Sequence, residues 1–134
     1  MNSFSGLISE LSEILETPLH VEHDSICSFL IDQKIRIQIE EDPTAQRILI
    51  VAIISEIPAG KFRENVLRQM LILNGGYNKP GVFSYIPQTA HLTFHRYLYP
   101  SEISPLKLAD SLGETIGIAQ SCFNAIQNGQ VPSL

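Results

Sequence analysis

In the run Arg47-Ile48-Leu49-Ile50-Val51-Ala52-Ile53-Ile54-Ser55-Glu56, no polar side chain interrupts the sequence between Ile48 and Ile54. A strand sends alternate side chains to opposite faces. Leu49, Val51 and Ile53 therefore share one face, and Ile48, Ile50 and Ile54 the other. Both faces are apolar, which predicts that both are covered. A single layer of helices covers only one face of a sheet, so the second calls for a partner chain or for more of this chain.

Upstream, Lys34 to Glu40 alternates cleanly, with Ile35, Ile37 and Ile39 on one side and Lys34, Arg36, Gln38 and Glu40 on the other. This is the pattern of a half-buried antiparallel strand. Asp32-Gln33 forms a short turn back to Ile26–Ile31, although the turn lacks the usual glycine. Further upstream, Phe4, Leu7, Leu11 and Ile14 recur at helical spacing over about Ser3 to Glu16, with Ser3 as cap and Pro18 enforcing the end.

Downstream, Pro58-Ala59-Gly60 separates the strand from a second helix over about Lys61 to Leu73. Its last turn, Leu71-Ile72-Leu73, is apolar nearly all round, as in a helix end buried on more than one side. Asn74-Gly75 is a stop signal, with Gly75 available for a left-handed cap. A second hairpin, Gly81–Ile86 and His91–Tyr99, precedes a long helix that opens with Ser104 and Pro105 and runs to about Gln127. Ala109, Gly113 and Gly117 stand four apart on it, a spacing that would let the helix lie close on the sheet. The order α-β-β-β-α-β-β-α makes this an α+β protein: a twisted antiparallel sheet with helices packed on one face. Residues 1–128 are expected to form one domain and 129–134 a flexible C-terminal tail.

The 134 residues suit one domain, and a chain of this length holds a core without disulfide or metal staples. Nine Lys and Arg against fourteen Asp and Glu leave a net charge of −5. The basic residues do not cluster, so nucleic acid and anionic membrane are disfavoured as partners. The longest apolar run falls far short of the roughly 20 residues that span a bilayer, and no secretory signal precedes the first helix. Cys27 and Cys122 are read as two reduced thiols.

Catalytic and metal-binding readings are weak. His20, His23 and Cys27 are the densest set of potential ligands, but no further ligand pair with recognised spacing accompanies them. His91 and His95 share a strand face with Thr93 and Tyr97, a polar-aromatic face suited to an interface. A small enzyme or ligand-binding domain using His91 or His95 is the alternative, as is a small dimeric adaptor. No serine or cysteine sits in a nucleophile elbow, and the Gly-containing segments Asn74-Gly75-Gly76 and Gly60-Lys61 do not match a phosphate loop. No cofactor, metal or catalytic residue is assigned.

The hairpin ending Ile35-Arg36-Ile37-Gln38-Ile39, the apolar strand running into Ile57-Pro58, the phrase Leu67-Arg68-Gln69-Met70-Leu71-Ile72-Leu73-Asn74 and the strand around Leu92-Thr93-Phe94 form a connected pattern. With the short first helix and the long last one, the chain from Phe4 to Ile126 resembles a class I type III secretion chaperone of the Tir-chaperone family. The turn Ile86-Pro87-Gln88-Thr89-Ala90 and the absence of Trp depart from the family pattern. The resemblance implies a homodimer in the bacterial cytoplasm that binds the N-terminal segment of a secreted effector without ATP. It implies no enzymatic activity, and it brings in the export ATPase as a further partner. Carried over by position, Phe4, Leu7, Leu11, Phe29, Ile31, Leu49 and Val51 would face cargo. Val66, Met70, Leu73, Leu92 and Phe94 would form the dimer contact.

Overall fold

The computed structural model describes residues 3–22, 25–44, 46–77 and 79–134. Helix α1 (Phe4–Leu15) starts where Ser3 Oγ accepts the Gly6 N–H at 3.0 Å. It ends where Glu16 turns left-handed at φ 52°, its N–H and that of Thr17 bonding back to the Glu13 and Ser12 carbonyls. Strands β1 (Val21–Glu22), β2 (Ile26–Ile31), β3 (Ile35–Asp42) and β4 (Arg47–Glu56) follow, then α2 (Lys61–Asn74), β5 (Val82–Ile86), β6 (His91–Leu98) and α3 (Pro105–Gln127). The two-residue β1 is an addition to the order read from sequence; a strand so short has no periodicity to read. The β2–β3 turn takes φ 53° at Asp32 and 59° at Gln33, so it adopts the primed-type geometry without glycine.

The six strands form one antiparallel sheet in the order β1-β2-β3-β4-β6-β5. Register puts Phe29, Ile37, Ala52, Phe94 and Phe83 in one row across the sheet, and Cys27, Ile39, Ile50 and Arg96 in the next. These rows lie on the helix-bearing face. Helix α3 lies over β3, β4 and β6, α1 packs against α3, and α2 packs beside β5. Ile37, Ile39, Ile50 and Ala52 have no exposed surface, and neither do Leu11, Leu108, Leu112 and Ala119 on the helices above them. Arg96 reaches α3 from this face through an ion pair with Glu114.

A β-bulge between Ile53 and Ser55 breaks the alternation of β4. Both Ile54 and Ser55 are buried in consequence, and Ser55 Oγ accepts a hydrogen bond from Gln127 Nε2 of α3 at 3.2 Å. Gly81 is required at the entry to β5, because a Cβ there would stand 2.4 Å from the His95 carbonyl oxygen and 2.6 Å from the Phe94 ring. Gly113 and Gly117 correct an expectation: both face outward, a Cβ on either would meet nothing, and neither brings α3 closer to the sheet. Gly75 likewise caps α2 with a right-handed φ of −82°, not a left-handed one. After α3, the Gln130 N–H bonds back to the Ala125 carbonyl, Pro132 is buried, and Leu134 reaches a hollow lined by Ile72, Leu73, Phe83 and Phe94.

Candidate functional site

The face of the sheet opposite the helices differs from the packed one. Leu49, Val51 and Ile53 of β4 run along its middle and are only half-buried. Among the described residues no helix lies over them, so the expected cover for the second face of β4 is not supplied by this chain. Register places Glu40, Gln38 and Arg36 of β3 on one flank of this row, and Tyr97, His95 and Thr93 of β6 on the other.

The β3 flank is a polar ladder. Arg36 Nε donates to Gln38 Oε1 at 3.2 Å, and Gln38 Nε2 donates to Glu40 Oε1 at 3.1 Å. Arg36 Nη2 also reaches Ser28 Oγ at 3.3 Å, and Ser28 in turn donates to Glu22. The β6 flank is aromatic: His95 and Tyr97 meet edge-on at 6.1 Å, Tyr97 and Tyr99 stand 6.3 Å apart, and the Arg47 guanidinium lies 3.9 Å above the Tyr97 ring. Asp42 holds Arg47 at 3.1 Å and raises its pKa by that bond. The whole forms a hydrophobic strip with hydrogen-bonding edges, able to seat an amphipathic segment.

At one end of the sheet a cavity of about 470 Å³ opens between α1, the β3–β4 turn and the start of α3. Phe4, Leu7, Ile48, Ile103 and Pro105 are its apolar walls, and Glu41, Gln46 and Arg47 its polar mouth. The volume is that of a pocket for a small ligand or a few side chains.

The residues singled out for cargo do not form one surface. Leu49 and Val51 lie on the open face, whereas Phe29 and Ile31 lie on the helix-bearing face, partly buried at its margin. Phe4 and Leu7 are core residues that also line the cavity, and Leu11 is wholly enclosed. Of the residues carried over to a dimer contact, Val66, Met70, Leu92 and Phe94 are buried within this one chain and Leu73 is half-buried. What α2 presents outward is Leu71, 73 % exposed, and Ile72, 64 % exposed. Hollows of about 230 Å³ and 300 Å³ flank them, one lined by Leu67, Met70, Tyr85 and Leu92, the other by Leu73, Tyr77, Phe83 and Phe94. Leu30 is exposed on the open side of β2, and alternation within β2 alone does not say which parity meets the helices.

Among the described residues, the titratable groups do not assemble into a catalytic arrangement. His95 is half-buried between Val51 and Val82, and desolvation lowers its pKa. His91 stands opposite Glu56 and Ile86 on the same face. Burial pushes the Cys122 thiol up to about 11 and raises that of Cys27, so neither is a ready thiolate. His23 and Asp24 lie outside the described residues; among the described ones no three potential ligands converge on a metal position. Among the described residues, no helix is long and apolar enough to cross a membrane.

A family model described as the Tir chaperone protein (CesT) family matches residues 6–122. None of the curated proteins matches the sequence. Among solved structures, the fold is similar to that of a chain in the HopA1–SchA chaperone–effector complex, with a TM-score of 0.71 and 17 % identity, covering 91 % of this chain and 94 % of that one. A chain of the ExsC–ExsE complex is similar at a TM-score of 0.71 and 14 % identity, covering 91 % and 92 %. A third likeness is to a structure of the Yersinia pestis type III secretion chaperone SycH with a stable fragment of YscM2, at a TM-score of 0.65 and 12 % identity, covering 88 % and 98 %.

Proposed function

This chain belongs to the Tir chaperone protein (CesT) family, and on that premise we propose that it is a homodimeric chaperone of the bacterial cytoplasm that binds the N-terminal segment of a type III secretion effector. It does so without ATP and keeps the segment export-competent. The family is one of chaperones and not of enzymes, which agrees with the absence of a nucleophile elbow from the sequence.

The observation that carries the reading is the open row Leu49-Val51-Ile53, half-buried and flanked by a polar and an aromatic ladder. An apolar row left uncovered is an aggregation hazard unless it has a partner. A cargo segment lying over it would bury its own apolar side chains while its polar groups met Gln38 and Glu40. The cavity walled by Phe4 and Leu7 supplies a second, separate seat for apolar cargo side chains. A segment held in this way stays unfolded, and the export ATPase receives it without first unfolding it. The dimer reading rests on Leu71 and Ile72, which stay exposed among the described residues.

The test is co-purification of the tagged protein from its own cytoplasm, with the complex sized by light scattering. Two copies of this chain carrying the N-terminal part of one secreted protein are expected. A single copy with no protein partner would overturn the reading and favour a ligand-binding domain centred on His91 and His95.

A further inference from the structure

Strand β5 is the last strand of the sheet, so one side of its backbone has no strand to pair with. Such an edge is a template for pairing with another chain unless something blocks it. Here a side chain blocks it. Asn74, the last residue of α2, donates from Nδ2 to the Phe83 carbonyl oxygen at 2.9 Å and accepts the Phe83 N–H on Oδ1 at 2.8 Å. The amide thus reproduces, at one residue, the two bonds a neighbouring strand would make. Lys79 Nζ donates to the Asn74 carbonyl oxygen and fixes the end of the helix beside the strand.

In an antiparallel pair the outward-pointing backbone groups fall on alternate residues. Phe83 is one such residue, and Tyr85 is the next along β5. A continuous ladder with a second chain needs both positions in succession, and Asn74 removes the first. On the same surface, a ridge and its hollows lie side by side: exposed Leu71 and Ile72 between two apolar cavities. A two-fold contact uses one patch twice, so it needs a knob and a hole on the same patch. This patch has both.

We propose that Asn74 is an edge guard: its side-chain amide occupies the outer hydrogen-bonding positions of β5, so that a second copy of this chain docks on α2 and β5 through side chains and not by extending the sheet. The inference rests on the homodimer reading above and gives it a mode of contact. Asn74 is a positioning residue, touching the strand and not the partner.

Amide hydrogen exchange on the full chain, measured at concentrations where it is single and where it is paired, tests this. In the wild type the Phe83 amide is expected to exchange slowly in both states and the Tyr85 amide fast in both. Asn74→Ala is expected to speed Phe83 exchange at least tenfold and to yield assemblies larger than two copies by light scattering. Asn74→Asp keeps the acceptor for the Phe83 N–H and is expected to keep that amide slow; it decides the matter where the alanine variant fails to fold. A Tyr85 amide that becomes slow on pairing would show a continuous sheet and overturn the proposal while leaving the dimer standing. Unchanged Phe83 exchange and size in Asn74→Ala would also overturn it. A wild type that stays single at every concentration would remove the dimer reading and the docking mode together.

Discussion

The two faces of β4 carry nearly the same side chains and meet different surroundings. Ile48, Ile50 and Ala52 disappear beneath α3, whereas Leu49, Val51 and Ile53, one residue along each time, stay half in water. Hydrophobicity does not separate them. What separates them is that α1 and α3 both pack on one side, so that a strand with two apolar faces meets only one layer of cover. One face therefore stabilises the monomer. The other leaves apolar surface half in water, and on the function proposed above that surface is kept for the effector segment.

Substitution on the covered face should give the largest effect. Phe94→Ala and Ile50→Ala each remove a fully enclosed side chain and are expected to destabilise by about 3–5 and about 2–5 kcal/mol respectively, measured by urea unfolding. Val51→Asp on the open face should cost about 1 kcal/mol or less in the same assay. It should nonetheless weaken binding of the effector segment at least tenfold, about 1.4 kcal/mol, by titration calorimetry. Comparable unfolding losses on both faces would mean that the open face is a second core, and the comparison would collapse.

How much of this contrast was legible beforehand varies along the chain. The alternation of Ile35, Ile37 and Ile39 identified β3 and its buried side, because polar residues held the other parity. In β4 both parities are apolar, so the pattern predicts cover on two sides and does not say which side this chain covers; register with β3 settles the latter. The bulge at Ile54 leaves no mark in the sequence, because Ile-Ile-Ser is compatible with unbroken pairing. Phe4, Leu7 and Leu11 were spaced as a core stripe, and that is where they lie. The family pattern had assigned them to cargo, and local spacing could not tell the lining of a cavity from enclosed core. The surface of α2 was half legible: the apolar turn Leu71-Ile72-Leu73 stood out, but the partner for Asn74 lies on a strand nine residues on and leaves no periodic trace.

Helix α3 sharpens the contrast from its outer side. Gly113 and Gly117 face solvent with empty space where a Cβ would stand. Gly113→Ala and Gly117→Ala should each stabilise by about 1 kcal/mol, seen as a higher melting temperature, with no change in effector binding. A loss of stability or of binding in either variant would mean that a partner lies against this side of α3 and that the helix layer, too, is a contact surface.

The smallest expected effect separates the faces by pH. The covered side holds Cys27 and Cys122, whose burial raises their pKa values, so neither thiol titrates between pH 5 and 7. The open side holds His95, whose ordinary value of 6.5 is lowered by desolvation. A histidine with a lowered pKa in the folded chain is protonated first in the unfolded one. Its contribution to stability is therefore fully present above pH 6.5 and falls away as the pH drops from there through the lower folded value. A bound segment lying over Val51 and His95 would desolvate the imidazole further, so effector binding should weaken over the same window and in the same direction. His95→Gln should flatten both dependences while leaving binding at pH 7.5 nearly unchanged. If stability still falls with pH as before but binding does not, His95 is buried by the sheet alone and the cargo lies elsewhere, at the cavity beside α1.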